Sequence, residues 1–120
     1  MATWSGKLTD ANGRVGTVEI QTPDQPNETQ GEWRLRLTGR DQVELEMKGP
    51  ITIEGELGQG DVRISATEEQ SKGTVTWELQ LAPAGAGQYA KQAVVGQYQV
   101  KGATEGLPVS QGVVVLWLFE

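Results

Sequence analysis

The chain contains no cysteine and no histidine. Those two absences remove Ser-His-Asp and Cys-His catalysis, thiol redox chemistry, and zinc sites built on His or Cys. Long apolar runs are also missing, and nothing approaches the ~20 consecutive apolar residues that a membrane-spanning helix requires. Basic charge is scarce: 10 Lys and Arg stand against 16 Asp and Glu, for a net charge of -6. The mean field therefore repels phosphates, which argues against nucleic acid or an anionic membrane as a partner. The one local basic cluster, Arg34, Arg36 and Arg40, has two members alternating with Trp33, Leu35 and Leu37, the pattern of a wet strand face. Met1 is followed by no basic region leading into an apolar stretch, so the expected location is the cytoplasm.

What remains is 120 residues, of which 16 are Gly and 5 are Pro. That length suits one domain, 1–120, with a core that needs no disulfide or metal. Apolar residues recur with period two, and no window of ten or more carries a clean helical repeat. The expectation is all-β. Strands are predicted over 4–8, 15–21, 32–38, 43–57, 62–67, 74–81, 94–101 and 111–119, with a bend or bulge at Gly49-Pro50. The turn Asp10-Ala11-Asn12-Gly13 carries an Asn-Gly pair that tolerates positive φ, and 22–30 and 82–93 read as loops. Arg34 and Arg36 are expected to face Glu44 and Glu46 across a hairpin.

The halves echo each other. Gly16-Thr17-Val18 recurs as Gly73-Thr74-Val75, and Gly31-Glu32-Trp33 as Gly96-Gln97-Tyr98. Either two four-strand units close on one another, or short hairpins of this composition produce the echo by themselves. Two closing units would give a single-domain antiparallel up-and-down β-barrel of about eight strands, without open edges.

Thr3-Trp4-Ser5 with Leu8, Gly31-Glu32-Trp33, and Thr74-Val75-Thr76-Trp77 resemble strand motifs of the avidin-like barrels and, more loosely, of the calycin group. The resemblance implies the barrel fold, with Trp77 on a strand that carries a ligand-stacking tryptophan. It does not extend to biotin. Where the family's opening motif has Asn and Ser, this chain has Gly6 and Asp10; Trp33 and Leu35 stand where Tyr and a hydroxyl residue are expected, and Val114 replaces a polar residue on the last strand.

Paired carboxylates are the only catalytic chemistry left. Glu44 with Glu46, and Glu54 with Glu56, share strand faces about 7 Å apart, but these faces point to water. Glu68-Glu69 reads as a solvated turn. No catalytic residue, metal or cofactor is expected. Trp33, Trp77 and Tyr98 are the candidate ligand-binding residues, able to line one end of a barrel while also serving the core. Tyr89 is a candidate lid residue. The last strand, Val113 to Phe119, is apolar on both faces, so one face needs a cover. Val114, Leu116, Trp117 and Leu118 are the candidate interface residues. The outward stripe is Val114, Leu116 and Leu118 in one register, and Val113, Val115, Trp117 and Phe119 in the other.

Two functions follow. The first is a non-catalytic binding or assembly module that self-associates, or docks a protein partner, through its last strand. The alternative is a calycin-like carrier of a small apolar ligand inside the barrel. A carboxylate-based hydrolase or isomerase stands behind both.

Overall fold

The computed structural model describes residues 2–11, 13–23, 29–39, 44–70, 73–85, 92–102 and 110–118, with the side chains of 44, 45, 70 and 110 excepted. Eight antiparallel strands close into a barrel in chain order, β8 returning to pair with β1. They are β1 (Ala2–Asp10), β2 (Val15–Thr22), β3 (Gln30–Thr38), β4 (Glu44–Glu54), β5 (Val62–Gln70), β6 (Gly73–Gly85), β7 (Gln92–Gly102) and β8 (Ser110–Leu118). There is no helix among the described residues.

The alternation read from the sequence is the alternation of the wall. Trp33, Leu35 and Leu37 on β3, and Val75, Trp77, Leu79 and Leu81 on β6, point inward and are buried. Arg34 and Arg36 point outward and are exposed. The β1–β2 turn closes as its Asn-Gly pair requires: Gly13 N–H donates to Asp10 O at 3.0 Å, and Gly13 has φ 84°. Several inward positions carry glycine, and at Gly6 a Cβ would run into the backbone carbonyl of Val115. The wall bends too tightly there for any side chain.

The two echoed motifs fall on equivalent elements. Gly16-Thr17-Val18 opens β2 and Gly73-Thr74-Val75 opens β6; Trp33 on β3 and Tyr98 on β7 both face inward. Any up-and-down barrel of eight strands has halves alike in topology, so the echo in residues stays confined to these short motifs.

Four expectations need correction. β5 runs on to Gln70 and β6 to Gly85, so Glu68 and Glu69 lie in a strand rather than a turn; of the expected loop 82–93, 82–85 and 92–93 are strand, with a bulge between Pro83 and Gly85, and 86–91 fall outside the described residues. The reason is pairing: Glu69 sits opposite Thr74, whose Oγ1 donates to Glu69 Oε1 at 2.9 Å. Next, β4 passes through Gly49-Pro50 with no shift in its register on β3. Gly49 absorbs the geometry with φ 155°, a value that favours glycine. Third, the β3–β4 hairpin places Arg36 against Glu46, their charged groups 3.6 Å apart, but sets Arg34 opposite Lys48. The other cross-strand neighbour of Arg34 is Glu19 on β2. The fourth correction concerns β8.

Val114 and Leu116 are fully buried, and Leu118 packs against the core, so these three point into the barrel and are not outward interface residues. Residues directly opposite on paired strands share a face. Lys7 and Thr9 of β1 are exposed and lie opposite Val115 and Val113, while Leu8 is buried opposite Val114. Lys7, Thr9 and the exposed Gln111 of β8 itself thus mark the face of the apolar run that meets water.

One seam is incomplete. β4 and β5 share only the pairs Thr52–Ser65, Ile53–Ile64 and Glu54–Arg63. Ile53 N–H donates to Thr29 O on the β3 side, so by alternation the even-numbered amides of β4 address β5. Pro50 has no amide hydrogen to offer there, and the ladder stops short of it. From Gly49 to Ile51 on one side and from Ala66 to Gln70 on the other, the two strands do not pair.

Candidate functional site

Three aromatic side chains meet inside the barrel. Trp33 comes from β3, Trp77 from β6 and Tyr98 from β7. Each stands opposite a residue with little or no side chain: Trp33 faces Gly49, Trp77 faces Ala66 and Tyr98 faces Gly112. Trp33 and Trp77 meet edge to face, with centroids 6.2 Å apart and planes at 89°. Tyr98 follows at 6.2 Å from Trp77, tilted by 47°. The three candidate ligand-binding residues are thus one continuous aromatic row.

The row carries unspent polarity. Trp33 and Trp77 are only 2% and 8% exposed, and neither Nε1 has a hydrogen-bond partner among the described residues. An indole N–H is a donor only, and leaving one buried without an acceptor costs ~1–3 kcal/mol. No other buried side-chain nitrogen or oxygen is unpartnered among the described residues.

Two polar residues near this interior were not expected from the sequence. Asp10 is buried at the end of β1, where its Oδ1 accepts from Arg14 N–H at 3.4 Å and its Oδ2 lies 3.8 Å from Arg14 Nη1. It fastens the β1–β2 turn. Glu68 is half-buried and lies on the inward parity of Ile64 and Ala66, beside the incomplete seam. The signal for Glu68 was the alternation itself, which predicts an inward residue at 68 once β5 is extended. Glu46, Glu54 and Glu56 are exposed, but β4 ends at Glu54, short of the expected 57, so Glu54 and Glu56 do not share a strand face; Glu44 has its side chain outside the described residues. Tyr89 and Arg40 also fall outside them.

On the exterior, charge is unevenly spread. The outward side chains of β3, β4 and β5 include Glu32, Arg34, Arg36, Glu46, Lys48, Glu54, Arg63 and Glu69. β7, β8 and β1 present none of the protein's 16 acidic residues outward. Instead they carry Val95 (37% exposed), Val113 (53% exposed), and the half-buried Val115 and Trp117, with Lys7 and Lys101 as the only outward charges. Val95 lies opposite Val115, and Val115 lies opposite Lys7, so the valines form a continuous patch. Trp117 reaches over Ser5 and Gly6 and walls a shallow groove that extends to Glu19 and Arg34. Of the four candidate interface residues, Trp117 alone lies on this face.

Glu78, on the outer face of β6, has its pKa lowered by a hydrogen bond from the Gln80 side chain, at 2.8 Å, against the opposing effect of its burial. Arg63 adds to the lowering, with Nη2 3.0 Å from Glu78 Oε2.

Compared with protein-family models, curated proteins and solved structures, the chain finds no match in any of the three. The class of protein rests on the geometry: an eight-strand antiparallel up-and-down barrel with an aromatic-rich interior, whose strands β7, β8 and β1 present no acidic side chain outward among the described residues.

Proposed function

We propose that this protein is a non-catalytic assembly module that pairs with a second copy of itself through the outer face of β7, β8 and β1. The observation that carries this reading is the distribution of charge. A molecule with net charge -6 repels its own copies, and β7–β8–β1 is where two copies can approach without bringing carboxylates together. Val95, Val113, Val115 and Trp117 are each partly exposed, and burying the remainder on both copies yields roughly 8 kcal/mol. That is comparable with the ~4–15 kcal/mol that association costs, so a dimer at tens of micromolar also draws on the polar and methylene surface of the other outward side chains of this face. A two-fold arrangement is the commonest solution for a self-complementary patch.

Light scattering tests it. The wild type is expected to be dimeric at tens of micromolar, and the double variant Val115→Lys, Trp117→Lys monomeric with unchanged circular dichroism. A wild type that stays monomeric at that concentration overturns the proposal.

A second reading, the carrier of a small apolar ligand inside the barrel, is favoured by the two unpartnered indole donors. Saturable quenching of tryptophan fluorescence by an apolar ligand, abolished in Trp77→Phe, supports it, and no quenching by any of a panel opposes it. Kinship with the avidin-like or calycin barrels belongs to this reading, supported by the strand number and the chain-order topology. No enzyme activity is part of either reading. Neither nucleic acid nor a membrane is proposed as a partner, in keeping with the net charge and the charged outer faces of β3 to β5. A cytoplasmic location suits the lack of cysteine.

A further inference from the structure

We propose that the unpaired stretch of the β4–β5 seam is the portal of a ligand site whose recognition groups are the indole N–H donors of Trp33 and Trp77. The ligand is a small uncharged molecule whose leading end carries a hydrogen-bond acceptor, such as a ketone or lactone carbonyl. This rests on the second reading above, and it adds the ligand's chemistry and its way in.

Position supports the portal. Gly49 and Ala66 belong to the two stretches that fail to pair, and they lie opposite Trp33 and Trp77 respectively. Each indole is therefore seated one strand behind a lip of the opening. Both lips are low, since one residue has no side chain and the other a methyl group. A Cβ added at Gly49 would meet no heavy atom within 4 Å, so the space beside that lip is open. Chain topology explains why the lips stay apart: Pro50 removes the amide that would have bonded across.

Chemistry narrows the ligand. Both Nε1 atoms are donors without acceptors, so a matching group must accept. Apart from Tyr98, the neighbouring inward side chains Ile51, Ile64, Val75 and Val100 are apolar. Glu68, the one carboxylate on the inward parity of β5, disfavours an anion at the rim. An anionic acceptor would thus meet a like charge. A neutral carbonyl on an apolar body satisfies every one of these conditions.

Cyclohexanone and methylcyclohexane are the test pair, because they match in ring size and differ in the acceptor. Binding is followed through the four tryptophan indole N–H resonances in a two-dimensional 1H–15N spectrum. Cyclohexanone is expected to shift two of them and to bind about tenfold more tightly than methylcyclohexane, as one to two net hydrogen bonds imply. The two shifted signals should be those lost in Trp33→Phe and in Trp77→Phe, variants that retain an aromatic ring. Ala66→Leu raises one lip and is expected to slow exchange of the bound ketone; unchanged exchange overturns the portal. Equal binding of the two probes overturns the acceptor inference while leaving an interior site in place. If neither probe shifts any indole, the interior reading falls with it, and shifts confined to Trp4 or Trp117 place binding elsewhere and overturn the site.

Discussion

Replacing Leu116 by Ala tests the assignment of the two faces of β8. Leu116 is fully buried and lies opposite Gly6 on β1 and Val94 on β7. Gly6 contributes no side chain, and its backbone is pressed against the Val115 carbonyl, so the wall has little freedom to collapse into the space a Leu leaves. Leu→Ala substitutions cost about 2–5 kcal/mol, more where the cavity persists, and this site belongs in the upper half, about 3–5 kcal/mol. With a urea m-value of about 1.5 kcal/mol/M, the denaturation midpoint should fall by roughly 2–3 M at fixed protein concentration. Val113→Ala, on the exposed side of the same strand, should move the midpoint by less than about 0.5 M, since exposed substitutions stay within ~0.5 kcal/mol. An unchanged m-value would attribute the shift to the folded state. A small effect at Leu116 together with a large one at Val113 would refute the face assignment and, with it, the proposed dimer surface.

Gly6→Ala should destabilise the fold by at least about 1–3 kcal/mol, read as a lowered midpoint, because the new methyl would collide with backbone that can move only by shifting β8. Glu78 has a folded-state pKa below its ordinary value of 4.5, so the folded protein binds fewer protons than the unfolded chain as the pH falls through that region. Its contribution is therefore present above the unfolded pKa and lost on acidification. A Glu78→Gln variant should be less stable than wild type near neutrality by under about 1 kcal/mol and should converge with it below the carboxylate range. Biotin should show no binding tighter than micromolar by calorimetry: Gly6, Trp33, Leu35 and Val114 occupy the positions of polar ligands in the avidin-like motif, and Trp33, Leu35 and Val114 are buried inside this barrel.

Much of the wall was legible in the chain because strand alternation is a local property. Trp33-Arg34-Leu35-Arg36-Leu37 reads inside and outside correctly from five residues, since burying an arginine would cost far more than exposing a leucine. The Asn-Gly turn was legible for a similar reason: a positive φ is demanded of a single residue. The aromatic row was legible only as three candidates. That Trp33 and Trp77 meet edge to face is a fact of closure, which brings strands β3 and β6 together across the interior.

Local pattern fails where a segment offers no contrast or where the decision belongs to a neighbour. From Val113 to Leu118 β8 is apolar on both faces, so this run cannot choose an inside by itself; Gln111 at its start and Lys7 and Thr9 on β1 mark the outer face. Arg34 stands beside Lys48 and Glu19 because the hairpin register, a relation between two strands, is not written in either strand alone. The incomplete β4–β5 seam has the same origin. Pro50 was visible in the sequence as an interruption, but only the barrel determines that its missing amide faces β5 rather than β3, leaving β4 intact and opening the wall beside it.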